Sequence, residues 1–258
     1  MDIKTLAVLV AGEYRTWSST AKYLFKLFHD RAERVDYFFV TWDTSQGQPV
    51  TRDSVQEPFD RFGKNLVAQA VLPQIGRKVS TFYNQAYLAK FVNILKREHE
   101  LKHNFVYDQV VETRPDIYMR PNSRDWIIMN DFEVCNCGHL MESSLGFPEI
   151  DDVYYRSNSF TNDIIANRYW HRKPANHYTN IGSGAIQNWH NHHCMIMEYF
   201  NLNGIKFVTS MRDFVSPHIA VRSHAIDVDF DQGDLEELKA KYQPHQIGST
   251  TTDPVNWH

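Results

Sequence analysis

Between residues 107 and 121 the chain reads YDQVVETRPDIYMRP, with Glu112, Arg114 and Asp116 at alternate positions where an apolar strand should surface. A carboxylate at a strand end beside a guanidinium can hold a divalent cation or a diphosphate, the arginine offsetting charge. Pro115 removes a backbone donor and so favours the end of a strand over its middle. The plainer alternative is a surface Arg–Asp pair. Glu112 lies deeper in the strand and is read as a support for Arg114. A second cluster, AGEYRTW at 11–17, pairs a permissive Gly12 with Arg15 near the start of a helix, an anion contact by type. It is neither GxGxxG nor the phosphate loop GxxxxGK[ST], so a dinucleotide or P-loop reading is not supported. A third cluster, Thr41, Trp42 and Asp43, offers a ring for stacking and an acid for ribose hydroxyls, or else a core tryptophan with a capping aspartate.

Four further groups bear on chemistry. Asp151 and Asp152 precede an aromatic run and offer a general base, or a solvated loop. RYWHRKPANH at 168–177 interleaves Arg168, Arg172 and Lys173 with Tyr169 and Trp170, which suits a polyanion, stacked bases or a sugar face. His190, His192, His193 and Cys194 crowd together, but no HExxH is present and CNCGH has no second CxxC, so a zinc site is disfavoured. His218 follows the last apolar strand and is a candidate second metal ligand, or a structural histidine.

The elements that must position these groups are legible as hydrophobic periodicity. IKTLAVLVAG (3–12), VDYFFVTWD (35–43), LVAQAVL (66–72) and 106–111 read as strands; the first is apolar enough to be covered on both faces, and the last reads as buried. Segment 16–30 carries Ala21, Leu24, Leu27 and Phe28 at helical spacing, and 80–100 carries Tyr83, Tyr87, Phe91 and Ile94, with Ser80 as cap. Segment 44–65 reads as a polar connection containing Gly and Pro. Strand, helix, strand, strand, helix, strand is the rhythm of an α/β fold with a mostly parallel sheet, which binds ligands beyond its strands' carboxyl ends. In the second half, SFTNDIIANRYWHR and QNWHNHHCMIMEYFNLNG read as helices, the latter stopped by Asn203-Gly204 before a short strand, IKFVTS.

Of the 258 residues, 42% are apolar and 22% charged, enough for a sizeable core. A net charge of −4 argues against coating nucleic acid by bulk charge while leaving a local basic patch open. The opening apolar run is too short to span a bilayer, and three cysteines argue against a disulfide framework, so a cytoplasmic protein with no membrane span is expected.

As a set, LVAGEYRTW, YFFVTWD and YDQVVETRPDIYM resemble GT-A-fold nucleotide-sugar glycosyltransferases of the kind found in capsule clusters, phages and large viruses. The resemblance covers roughly residues 5 to 120, and loosely the second half through DDVYYRSNS and NGIKFV. It implies a GT-A-like Rossmann-type sheet, a nucleoside-diphosphate-sugar donor such as a UDP-sugar, and a divalent cation, Mn²⁺ or Mg²⁺. On the matching positions, Gly12 and Arg15 would face the diphosphate, Thr41, Trp42 and Asp43 the nucleoside, and Asp152 the acceptor. Asp116 would be the metal acid, with Arg114 standing where a first acid is expected and contacting phosphate instead. The implied organisation is a donor half at 1–125, an acceptor half at 126–226 and a polar tail at 227–258. The acceptor is either a glycan or a hydroxymethylated base in phage DNA, the latter placing the protein in host cytoplasm. A non-catalytic nucleotide-sugar-binding module of the same fold is the alternative.

Overall fold

The structure is a computed structural model, and it describes residues 3–74, 81–118, 128–136, 141–142, 148–149, 154–170, 195–208, 219–221 and 247–249. Strand β1 (Thr5–Ala11) is, after Thr5, apolar and buried along its whole length. Helix α1 (Trp17–Phe28) follows, then β2 (Arg34–Trp42) and a two-residue hairpin of β3 (Thr44–Ser45) and β4 (Gln48–Pro49). Gln46 and Gly47 both adopt positive φ there, 50° and 79°, the turn that matches hairpin twist. Helix α2 (Arg52–Arg61), β5 (Leu66–Leu72), α3 (Thr81–His103) and β6 (Gln109–Thr113) complete the first half.

Beyond β6 come β7 (Ile117–Tyr118), β8 (Glu133–Asn136), β9 (Met141–Glu142), β10 (Pro148–Glu149) and β11 (Tyr154–Ser157). Helix α4 (Ser159–Ala166) runs into a 3₁₀ turn at Asn167–Trp170. A helix over residues 195–202, α5, precedes β12 (Lys206–Phe207), and β13 (Ile219–Val221) and β14 (Ile247–Ser249) follow.

The main sheet has seven strands in the order β12-β8-β11-β6-β1-β2-β5. Its pairs β2–β5, β1–β2, β1–β6 and β8–β12 are parallel, and β11 alone runs against its neighbours β6 and β8. The expectation of an α/β protein with a mostly parallel sheet flanked by helices is met. Alternation of side chains divides the core in two. Leu6, Val8 and Val10 pack with Trp17, Leu24 and Phe59 under α1 and α2, whereas Ala7, Leu9, Phe38 and Trp42 pack with Leu88 and Val92 of α3. A third cluster joins Val134 and Tyr155 to Ile165, Ile196 and Phe200 around β8 and β11.

Two sequence expectations shift. The 44–65 segment contains α2, capped by Thr51 and Ser54 in reciprocal hydrogen bonds and seated through Val55, Pro58 and Phe59. The buried stripe of α3 runs through Leu88, Val92 and Lys96 rather than Ile94, which is 37% exposed. Polar Lys96 belongs to that stripe because it donates to Ser159 Oγ at 2.5 Å and Asp163 at 2.9 Å, fastening α3 to α4. Among the described residues no helix is long and apolar enough to cross a membrane.

Candidate functional site

Strand β1 lies between β2, which the chain enters next, and β6, which it reaches only after β5 and α3. This is the point where strand order reverses, and the crevice beyond the carboxyl ends of such strands is where α/β sheets bind ligands. The two segments leaving β1 and β6 there are AGEYR and TRPD.

They meet through Asp116. Its carboxylate is 1% exposed, and both oxygens are taken by guanidiniums. Arg114 donates from Nε to Oδ1 at 2.9 Å and from Nη2 to Oδ2 at 2.8 Å, and Arg15 donates from Nη1 to Oδ2 at 2.5 Å across a separation of 101 residues. Burial alone would raise the Asp116 pKa; the charges of Arg114 and then Arg15, with their hydrogen bonds, outweigh it and hold the carboxyl below its ordinary range. Asp116 is thus a fixed anion.

Arg15 is fixed as well. Its Nε donates to Glu13 Oε2 at 3.0 Å, and its backbone N–H donates to Ser45 Oγ at 2.9 Å. The Ser45 hydroxyl and the Gln46 amide donate in turn to Glu13 Oε1, at 3.3 and 3.2 Å. Arg15 itself sits at φ 37°, a left-handed conformation uncommon outside glycine and one that collects at ligand sites. The Pro115 carbonyl accepts from Thr20 Oγ1 at 2.5 Å, which clips α1 to the motif.

Gly12 has a packing role. A Cβ there would stand 2.8 Å from Pro115 Cδ, so the two strand exits close on each other only because residue 12 has no side chain. Its amide donates to the Val40 carbonyl at 3.3 Å.

The residues of the 41–43 cluster do not join this constellation. Thr41 is fully buried, and its hydroxyl has no hydrogen-bond partner among the described residues. Trp42 is 4% exposed and its ring stacks on Tyr87 at 5.9 Å with an 8° interplanar angle, so protein covers the ring that a base would need. Asp43 is partly exposed and accepts from the Gln74 amide at 3.1 Å, closing the end of β5.

Glu112 does not support Arg114. It lies within β6, where it pairs with Arg168 Nη2 and accepts from Nη1 at 3.3 Å, both residues buried, whereas Arg114 lies beyond the strand's end at Thr113. Arg168 also lies over the Tyr155 ring at 5.2 Å, so it is a core cation and not part of an exposed basic patch. Tyr169 and Trp170 lie in the 3₁₀ turn. The side chains of those two, and Asp151, Asp152, Arg172, Lys173, His190, His192, His193, Cys194 and His218, lie outside the described residues. The strand β13, which begins directly after His218, pairs antiparallel with β7, setting Ala220 beside Ile117.

The arrangement does not fit a divalent cation at Asp116. Mg²⁺ or Mn²⁺ seeks several oxygen ligands, and among the described residues no group of three His, Cys, Asp or Glu side chains is placed to hold a metal. Each unit of positive charge brought to about 4 Å from a guanidinium meets repulsion of about 4 kcal/mol at an effective dielectric of about 20. The chemistry the cluster offers is anion recognition through two preorganised guanidiniums.

Glu13, Ser45, Gln46 and Thr20 are members of the site that sequence reasoning did not single out. The Ser-Gln-Gly-Gln turn at 45–48, one residue after TWD, was the available signal for the hairpin that brings Ser45 and Gln46 in. No protein-family model matches the chain, and no curated protein matches it significantly in sequence.

Proposed function

We propose that the chain is a glycosyltransferase that takes its sugar from a nucleoside-diphosphate sugar, a UDP-sugar being the first donor to test. The observation that carries this reading is the convergence of Arg15 and Arg114, from two strand ends, on Asp116 at the reversal point of the sheet. In the transfer the bond between sugar C1 and the β-phosphate oxygen breaks, and its electron pair leaves with the nucleoside diphosphate. A new bond forms from C1 to an acceptor hydroxyl oxygen, whose proton passes to a base or leaves with the departing diphosphate. Guanidiniums aimed at the oxygen where charge develops lower that barrier. Asp152 or Asp151 is the proposed base if the reaction inverts, and Tyr169, Trp170, Arg172 and Lys173 are the proposed acceptor contacts. The GT-A-like assignment draws support from a seven-stranded sheet parallel in all but one strand.

The acceptor is proposed to be a hydroxyl of a glycan or of a hydroxymethylated base in DNA. The test incubates the protein with a panel of nucleotide sugars, with and without Mn²⁺, and with glycan or hydroxymethylated DNA acceptors, and measures nucleoside diphosphate release. Release that depends on acceptor and collapses in Arg114→Ala supports the reading. Tight donor binding with no turnover on any acceptor replaces it with a nucleotide-sugar-binding module. No release and no binding overturn both.

A further inference from the structure

We propose that the donor diphosphate is held directly by Arg15 and Arg114 without a divalent cation, and that Asp116 is the buried carboxylate that aims both guanidiniums. This rests on the donor-site reading above and departs from the cation that the GT-A resemblance implies. Exposure decides which charge a ligand meets. The Asp116 side chain is 1% exposed, whereas those of Arg114 and Arg15 are 14% and 24% exposed. Solvent reaches the guanidiniums and not the carboxylate. A cation arriving there would meet two positive groups, with the carboxylate behind them already accepting three N–H bonds. A diphosphate would meet two planar donors. Each guanidinium presents its N–H groups in a fixed planar fork, which Asp116 orients on Arg114 and which Asp116 and Glu13 together orient on Arg15.

Rigidity adds to the case. Arg15 is anchored on one side by Glu13 and on the other by Asp116, and its backbone is pinned by Ser45. Arg114 is locked bidentate, and the proline that follows it is held by Thr20. Two cations of that kind, fixed before the ligand arrives, supply the charge and orientation for which other sites use a metal ion, with little ordering left to do on binding. Paired carboxylates also make the four-residue cluster of Glu13, Arg15, Arg114 and Asp116 formally neutral, which keeps two adjacent guanidiniums stable in the absence of ligand.

The experiment titrates the metal-stripped full chain with UDP and, separately, with inorganic diphosphate by calorimetry, in EDTA and again with Mn²⁺ in place of EDTA. The expected result is UDP and diphosphate binding in EDTA with a Kd within about twofold of that in Mn²⁺, and about a tenfold or greater loss in Arg114→Ala and Arg15→Ala. Binding that vanishes in EDTA and returns with Mn²⁺ overturns the metal-free clamp and leaves the donor site standing. Binding in neither condition overturns the donor-site reading itself. The wild-type comparison decides between these outcomes even if a variant does not fold.

Discussion

Replacing Gly12 with alanine tests the closeness on which the site depends. The new methyl carbon would stand 2.8 Å from Pro115 Cδ, 3.5 Å from its Cγ and 3.8 Å from Arg114 Cγ. Neither side yields easily. The proline ring is rigid, the Pro115 carbonyl is bonded to Thr20, and Asp116 beyond it is gripped by two arginines. Residue 12 also sits at φ 156°, a conformation that L side chains rarely adopt. Overpacking contributes about 1–3 kcal/mol and backbone strain about 1–3 kcal/mol, so the expected loss is about 2–6 kcal/mol. Urea unfolding at 25 °C measures it as a lower midpoint with an unchanged slope. The double variant Gly12→Ala/Pro115→Ala removes the ring and should recover the overpacking share but not the backbone share. Affinity for UDP should fall in the single variant, because the methyl can be accommodated only by moving residues 114–116. A Gly12→Ala protein within about 0.5 kcal/mol of wild type refutes the reasoning, since a surface-like cost means the two strand exits do not touch.

Other outcomes follow from the charged core. Arg168→Met leaves the Glu112 carboxylate buried without its partner and should cost about 3–5 kcal/mol in urea unfolding, whereas Glu112→Gln/Arg168→Met should recover most of it. Tyr107→Phe removes the hydroxyl that donates to buried Asp36 at 2.6 Å and should cost about 1.5–3 kcal/mol by the same measurement. The Asp116 pKa is lower in the folded than in the unfolded chain, so its stabilisation is complete above the ordinary carboxyl value of about 3.9 and is lost as pH falls through the folded value. The stability gap between wild type and Asp116→Asn should therefore be constant at pH 5 to 7, on the order of its full size, and shrink below about pH 4; a gap independent of pH down to about 2 contradicts the ion pairs.

The elements visible in the sequence were those whose periodicity coincides with burial. Strand β5 occupies Leu66–Leu72, the span its apolar run predicts, and β2 and α1 differ by a residue or two from expectation. Helix α2 was hidden because only Val55, Pro58 and Phe59 face inward among charged neighbours, and an internal proline argues against a helix. At the site, the strand ends bearing Arg15, Arg114 and Asp116 could be picked out because charge at the end of an apolar strand is conspicuous. Their mutual pairing could not, since Arg15 and Asp116 are 101 residues apart and no local pattern records such a contact. Glu112 shows the opposite error: proximity in sequence suggested Arg114, while the strand ends at Thr113 between the two and the carboxylate pairs instead with Arg168, 56 residues away. Trp42 misleads for a related reason, because an aromatic residue at a strand end suits a stacking platform and a core equally well.

The pairing of β1 with β6 has a consequence for how the protein is made. Strand β1 is complete as soon as residue 11 is synthesised, but its second neighbour ends at Thr113, and at ribosomal rates of about 5–20 residues per second the interval is about 5–20 s. During that interval one edge of TLAVLVA, apolar on both faces, has β2 on one side and nothing on the other. An unprotected, flat, apolar edge is a template for pairing with another chain. The strand that delivers Asp116 to the site is also the strand that removes this hazard, so arrest of synthesis or truncation before residue 109 should yield aggregates in place of a partly active fragment.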